Sequence, residues 1–423
     1  MLKNNKRYVA RVIELDYKAD GVVLIDNTYI FIKGALKDEL INFELVKLTK
    51  KYGIGKLIKV LEMSPQRIGH LNELGSLSLS HLNFESQLSW QEEITKTTFE
   101  KALKTDVNVL KTITDNNQFN YRNKVTFHVL NNQEIKLGLY KRDSKTLTEV
   151  NHFSLAHPLS NKLLKMINDS KIVVDSSVLK HIMIKNNDNN QLLVTLVGTK
   201  SKFQGLVELI SLIKGCEYVS GLTLNINTDA NKILGNKSFL LAGVNQLRYR
   251  NLLITDLSFM QVNYGVMDLT FKLIKENITG NKVLDLYSGI GSIIYSVLDD
   301  NKKGIMVESN EENIKLAKLI KNTKKITNLE IIHNLSENYF LNQSFDTLIV
   351  DPPRSGLEES LVSNIKEGKI KRFIYLSCNL QTLIRDIRLL ENSYKIDKVY
   401  PIKMFPETNS LETLVILSNV NYQ

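Results

Sequence analysis

The chain has 423 residues, more than one ordinary domain of roughly 150 holds, and its 43% hydrophobic content is enough to bury a core in each of two or three. Lys and Arg number 55 against 45 Asp and Glu, giving a formal charge of +10 and a pI near 9.2, spread along the chain as suits a surface facing a polyanion. Two cysteines, Cys216 and Cys378, are too few and too far apart for a disulfide framework. With no signal peptide and no apolar run of membrane-spanning length, the expectation is a cytoplasmic monomer without membrane partners.

Residues 1–62 alternate apolar and polar in short runs, Tyr8 to Leu15, Gly21 to Ile25, Tyr29 to Ile32 and Glu39 to Leu48, with turns at Asp26-Asn27 and Lys50 to Gly53. The pattern predicts a small basic β-barrel, equally suited to holding RNA or to capping the fold. Residues 63–84 lack periodicity and are expected to form an irregular linker, followed by a helix from Phe84 to Leu103 that carries the single tryptophan, Trp90. Strand signals return at Val125 to Leu130, Ile135 to Tyr140, His181 to Lys185, Gln191 to Val197, Leu222 to Ile226 and Ser238 to Leu241. With helices near Leu159 to Met166 and Lys202 to Ile213, they define an α+β middle domain over 63–255. From 256 to 423 strands alternate with helices, which implies an α/β domain with a mostly parallel, Rossmann-like sheet. Ligands of such sheets bind at the carboxyl ends of the strands.

Four strand ends carry the chemistry. Val283 to Gly291, VLDLYSGIG, is an apolar strand running into a turn with glycines at 289 and 291, where backbone can approach a ligand. Asp285 and Tyr287 belong to the same stretch. Glu308 ends the next strand about twenty residues on, suited to a ribose diol. The third glycine of a dinucleotide fingerprint is replaced by Ile294, so a nucleoside without phosphates, such as S-adenosylmethionine, fits better than NAD. Asp351-Pro352-Pro353-Arg354 closes a third strand, the prolines fixing the backbone behind the Asp351 carboxylate. Ser377-Cys378-Asn379 sits between the strand Lys371 to Leu376 and the helix Thr382 to Leu389. A thiol there is a candidate nucleophile, the competing reading being a buried structural cysteine. Glu412 opens the final apolar strand and would return beside Cys378. The seven histidines show no metal-ligand spacing and read as ordinary polar residues.

Together these residues resemble the S-adenosylmethionine-dependent RNA uracil-5 methyltransferase family along nearly the whole chain. The amino-terminal segment resembles the family's TRAM domain, and Tyr121-Arg122-Asn123-Lys124 resembles its middle-domain opening. Phe259-Met260-Gln261-Val262-Asn263 is similar to the segment before the cofactor domain. The resemblance implies that Cys378 is the nucleophile and Glu412 the base. It further implies that Gln261, Asp285, Tyr287, Gly289, Gly291, Glu308 and Asp351 hold S-adenosylmethionine, and that Phe259 and Arg354 meet the substrate. The Phe84 helix is implied to pack back on the catalytic domain, and Arg385 is a candidate source of positive charge for the thiol. Many relatives carry four cysteines for an iron-sulfur cluster; here Leu74, Leu77 and Phe153 stand at three of those positions, so no cluster and no metal are expected. Leu380 and Ser410 replace a usual proline and a frequent histidine. The expected substrate is 23S ribosomal RNA because of the TRAM-like segment. Transfer RNA, a different methyl acceptor on the same fold, and a non-catalytic RNA-binding protein are the alternatives.

Overall fold

The alternation between Arg7 and Glu62 builds a six-stranded sheet, and its inward side chains Val23, Ile30, Ile32, Ile41, Phe43 and Leu45 pack into one core. The computed structural model describes residues 2–339 and 344–422. The run expected from Tyr8 to Leu15 is broken into Arg7–Arg11 and Glu14–Leu15, because Val12 turns into the core between them.

The helix Phe84–Leu103 starts where the Asn83 side chain accepts the Ser86 N–H at 2.9 Å. Gln87, Gln91, Thr95 and Phe99 recur every fourth residue and form one buried stripe. This stripe faces the carboxyl-terminal domain. Gln91 Nε2 donates to the Ile402 carbonyl at 2.8 Å, Gln87 and Glu407 exchange two hydrogen bonds, and Phe99 joins the core beneath the last sheet. Trp90 packs toward the amino-terminal sheet with Ala19, Leu36, Leu79 and Leu82, and its indole N–H donates to the Asp16 carbonyl at 3.0 Å. Residues 63–83 form no long element, yet Leu77, Leu79 and Leu82 anchor them in cores on either side. Arg142 also holds this segment, donating to the carbonyls of Asn72 and Leu77 at 3.0 Å each. Of the positions where the resemblance places thiolates, Leu77 and Phe153 are buried in one apolar core with Leu74 packed against it. Among the described residues no group of three or more His, Cys, Asp or Glu is placed to hold a metal ion. Among the described residues no helix is long and apolar enough to cross a membrane.

The middle sheet has seven strands, with the helices Pro158–Asp169 and Leu206–Lys214 packed on one face. Its other face meets the carboxyl-terminal domain through Lys185, whose ammonium donates to the carbonyls of Thr255, Asp256 and Ser258 at 2.6, 2.9 and 2.7 Å. Asn123 adds a second clamp, its side chain donating to the Gln261 carbonyl at 2.8 Å and its backbone to Val262 at 2.9 Å. The hairpin Gln246–Tyr249 and Leu252–Thr255 was not foreseen. Leu247, Tyr249, Leu252 and Ile254 pack with the carboxyl-terminal core, which Leu193 of the middle sheet also joins.

In the carboxyl-terminal domain the sheet comprises β1 Lys282–Leu286, β2 Lys303–Glu308, β3 Leu329–His333, β4 Phe345–Val350, β5 Ile370–Ser377, β6 Tyr394–Ile402 and β7 Glu412–Asn419. Their spatial order is 3-2-1-4-5-7-6. Strands β1 to β5 are parallel, and β7 inserts antiparallel between β5 and β6, pairing Ser377 with Thr413 and Ile402 with Glu412. That reversal sends the start of β7 to the edge where β1, β4 and β5 end.

Candidate active site

A cavity of about 450 Å³ opens at this edge. Its wall includes Phe259, Gln261, Tyr287, Gly289, Asp351, Arg354, Cys378 and Glu412, all of which the sequence singled out. They come from five separate stretches of chain.

Each is set by local structure. Strand β1 ends at Leu286, and Tyr287, Gly289 and Gly291 then take φ of 57°, 57° and 85°, a left-handed turn that swings the backbone under the cavity. A methyl built on Gly289 would meet nothing within 4 Å, so the turn presents open backbone toward a ligand. Tyr287, strained without glycine's freedom, is pinned by its N–H to Ser336 Oγ at 2.9 Å and its hydroxyl to Glu337 at 2.7 Å. Glu308 accepts the Gly289 N–H at 2.8 Å and the Asn310 N–H at 2.7 Å.

Glu308, Asp285 and Gly291 therefore stand behind the cavity wall rather than on it. Glu308 spends its carboxylate on the amides of the turn. Asp285 is fully buried at the end of β1, with no well-formed hydrogen bond to either oxygen. Burial, and then the neighbouring Asp351, push its carboxyl well above the usual range. A buried carboxyl without a partner beneath a glycine turn fits a site for a ligand's hydrogen-bond donor or cation.

Asp351 is half-buried and faces the cavity, its carboxyl pushed up to about 7 by desolvation against the 3.4 Å hydrogen bond from Gln261 Nε2. Glu412 is 2% exposed, and burial, then Asp351, raise its pKa well above normal while Arg354 opposes the rise. The Cys378 thiol is raised by burial and by the Glu412 and Asp351 carboxyls, and lowered by the neighbouring guanidinium of Arg354. The local cation is thus Arg354. Arg385, the expected source, lies elsewhere: Nη2 donates to the Ser355 and Leu357 carbonyls at 3.0 Å each and Nε pairs with Asp386 at 2.8 Å. It ties down the loop after Arg354 instead.

The arrangement can hold a planar ring. Phe259, 62% exposed, offers an aromatic face at the mouth, with Phe405 and Phe271 further along the wall. A thiol that can ionise against Arg354 and a carboxyl poised to take a proton line the same space. Phe271, Phe405, Ser288, Ser292 and Leu411 were missed from the sequence, since their periodicity is that of ordinary core or turn residues.

Comparison with known proteins bears on the family of the chain. Residues 334–420 match the family model described as tRNA (Uracil-5-)-methyltransferase, and 260–367 match the methyltransferase small domain. An uncharacterized RNA methyltransferase of Caldanaerobacter subterraneus subsp. tengcongensis is 31% identical, with 99% of each chain covered. One of Enterococcus faecalis is 29% identical over 99% of this chain and 98% of its own. Among solved structures, the Pyrococcus abyssi tRNA (uracil-54, C5)-methyltransferase in complex with S-adenosyl-L-homocysteine superposes with a TM-score of 0.78 at 23% identity, over 97% of this chain and 100% of that one. Its fold is shared from the amino-terminal sheet to β7. With a relative above 30% identity along its full length, and a uracil-5 model over the stretch that carries Cys378 and Glu412, this chain belongs to the RNA (uracil-5-)methyltransferase family.

Proposed function

We propose that the chain methylates C5 of a specific uridine in RNA through a covalent adduct on Cys378. The observation that carries this reading is the meeting of Cys378, Arg354 and Glu412 in one cavity with the glycine turn.

S-adenosylmethionine fits that turn, where Gln261, Tyr287, Gly289 and Asp351 would hold it, with Glu308 shaping the backbone and the unpartnered Asp285 carboxyl lying below. When bound it supplies an electrophilic sulfonium methyl. Uracil C5 is a weak nucleophile, so the chain's own residues must raise its electron density. Addition of Cys378 Sγ to C6 does this, with Arg354 holding the thiolate and the charge that develops on the ring. After alkylation C5 bears both a hydrogen and the new methyl. Glu412 takes that proton; its raised pKa makes it a stronger base once ionised. The C5–C6 double bond reforms as Sγ departs. A ring face is hidden inside a stacked helix, so the uridine is flipped out, with Phe259 against it and the TRAM-like sheet and middle domain on the flanking RNA.

Ribosomal RNA, 23S in particular, is the proposed substrate class. Transfer RNA is the second reading, supported by the tRNA enzyme that shares the fold along the whole chain, amino-terminal sheet included. Mapping 5-methyluridine by mass spectrometry in 23S and transfer RNA from cells with the chain, without it, and with Cys378→Ala tests both. Loss of one site in one RNA class identifies the substrate; unchanged methylation in both classes overturns the function.

A further inference from the structure

The middle sheet carries a second recess, of about 340 Å³, that the reaction does not use. Three rings from three adjacent strands line it. His128 in Lys124–Val129 lies directly opposite His181 in Leu179–Asn186, and Tyr140 ends the strand on the other side. The centroids of His128 and His181 are 4.8 Å apart at 84°, and those of His128 and Tyr140 are 4.5 Å apart at 60°. Rings at these angles make an aromatic-walled notch rather than a closed stack. The Tyr140 side is 44% exposed, and His181 Nδ1 is buried without a protein partner. The opposite lip is the loop after Asn227, held by that side chain's donations to the carbonyls of Asp229, Lys232 and Ile233 at 3.1, 2.6 and 3.1 Å. Lys180 and Lys232 flank the opening.

The notch faces the same side of the sheet as Lys185, which clamps the segment leading into Phe259. Four residues separate His181 from Lys185, about 13 Å along the strand at ~3.3 Å per residue. Two or three extended nucleotides span that distance. We propose that the notch binds the base of a nucleotide flanking the flipped uridine, with Lys180 and Lys232 on its phosphates. The inference rests on RNA being the substrate. Its chemistry is the aromatic stacking that seats single-stranded bases without regard to sequence.

The test uses the full-length protein and an oligouridylate dodecamer carrying 4-thiouridine. Irradiation followed by mass spectrometry should place a crosslink on a peptide containing His128, Tyr140 or His181, in the wild type and equally in Cys378→Ala. His128→Ala with Tyr140→Ala should weaken oligouridylate binding about tenfold, the loss of roughly 1.4 kcal/mol of stacking. His128→Phe with Tyr140→Phe should hold affinity within about twofold. Lys232→Glu, on the loop and without risk to the core, should weaken binding as well. Wild-type affinity in the alanine pair and in Lys232→Glu, with no crosslink in the notch, overturns the proposal. A notch crosslink in a wild-type protein that methylates neither 23S nor transfer RNA supports the notch and overturns the catalytic reading alone.

Discussion

Asn379 donates its side-chain amide to the Arg354 carbonyl at 2.9 Å, so the residue after the candidate nucleophile holds the loop whose guanidinium lies against that thiol. Thr382, one turn on, donates to the same carbonyl at 3.2 Å. Thiol and counter-charge are built as one unit from two strand ends.

Arg354→Gln should therefore make the Cys378 thiol harder to ionise. Burial and the two carboxyls already raise its pKa, so the thiolate fraction is small at neutral pH and grows through alkaline pH. Removing the opposing cation shifts that profile further upward. The rate of Cys378 alkylation against pH, with buried Cys216 resolved by mass spectrometry, should move to higher pH in the variant; coincident profiles would detach Arg354 from the thiol.

Cys378→Ala should abolish methyl transfer by on the order of 10⁴-fold or more while leaving RNA affinity within about twofold. Single-turnover transfer of a labelled methyl group, read beside a binding isotherm, separates the two effects.

Glu412→Gln keeps the volume of a fully buried side chain and removes its proton affinity. The protein-RNA adduct should form and persist, with turnover slowed by roughly 10²- to 10⁴-fold. A denaturing gel shows the adduct directly, and full turnover with no retained adduct would give the base to another group.

Gln87→Leu should destabilise the join between the Phe84–Leu103 helix and the catalytic domain. Gln87 bonds the Leu79 and Leu82 carbonyls and both the carboxyl and the N–H of Glu407, and leucine leaves all four without that partner. The expected cost is about 2–4 kcal/mol, seen as a fall of several degrees in thermal midpoint.

Lys185 supplies a pH dependence of stability. Burial, then Lys124, lowers its pKa from 10.5 to about 7 in the folded chain. Between those values the unfolded chain binds more protons, so this group's contribution rises with pH across that window and is lowest below pH 7. Lys185→Met removes the slope: the stability lost on substitution, measured by denaturant unfolding, should be larger at pH 9 than at pH 7.

The carboxyl-terminal half was the more legible part of the sequence. Parallel strands buried on both faces read as continuous apolar runs, so 345–350 was placed to the residue, and the glycine turn, Asp351 and Cys378 fell where strand ends must be. Periodicity could not say which strand-end side chains face the cavity. Asp285 and Glu308 share the spacing of ligand-binding carboxylates, yet Glu308 bonds the backbone of the turn, an amide nineteen residues away in sequence, while the Asp285 carboxyl has no such partner. Arg354 rather than Arg385 meets the thiol because Asp386, directly beside Arg385, takes that side chain first. The hairpin over 246–255 and the notch at His128 were illegible for a similar reason, since each depends on partners brought together by pairing across the sheet.

Trp90 and Gln91 are neighbours on one helix, and the first grips the amino-terminal sheet while the second grips the β6 strand beside Glu412. No linker separates the two grips. Whatever the amino-terminal sheet holds is thereby carried at a fixed distance and angle from the Glu412 carboxyl, and the helix acts as a ruler between the two.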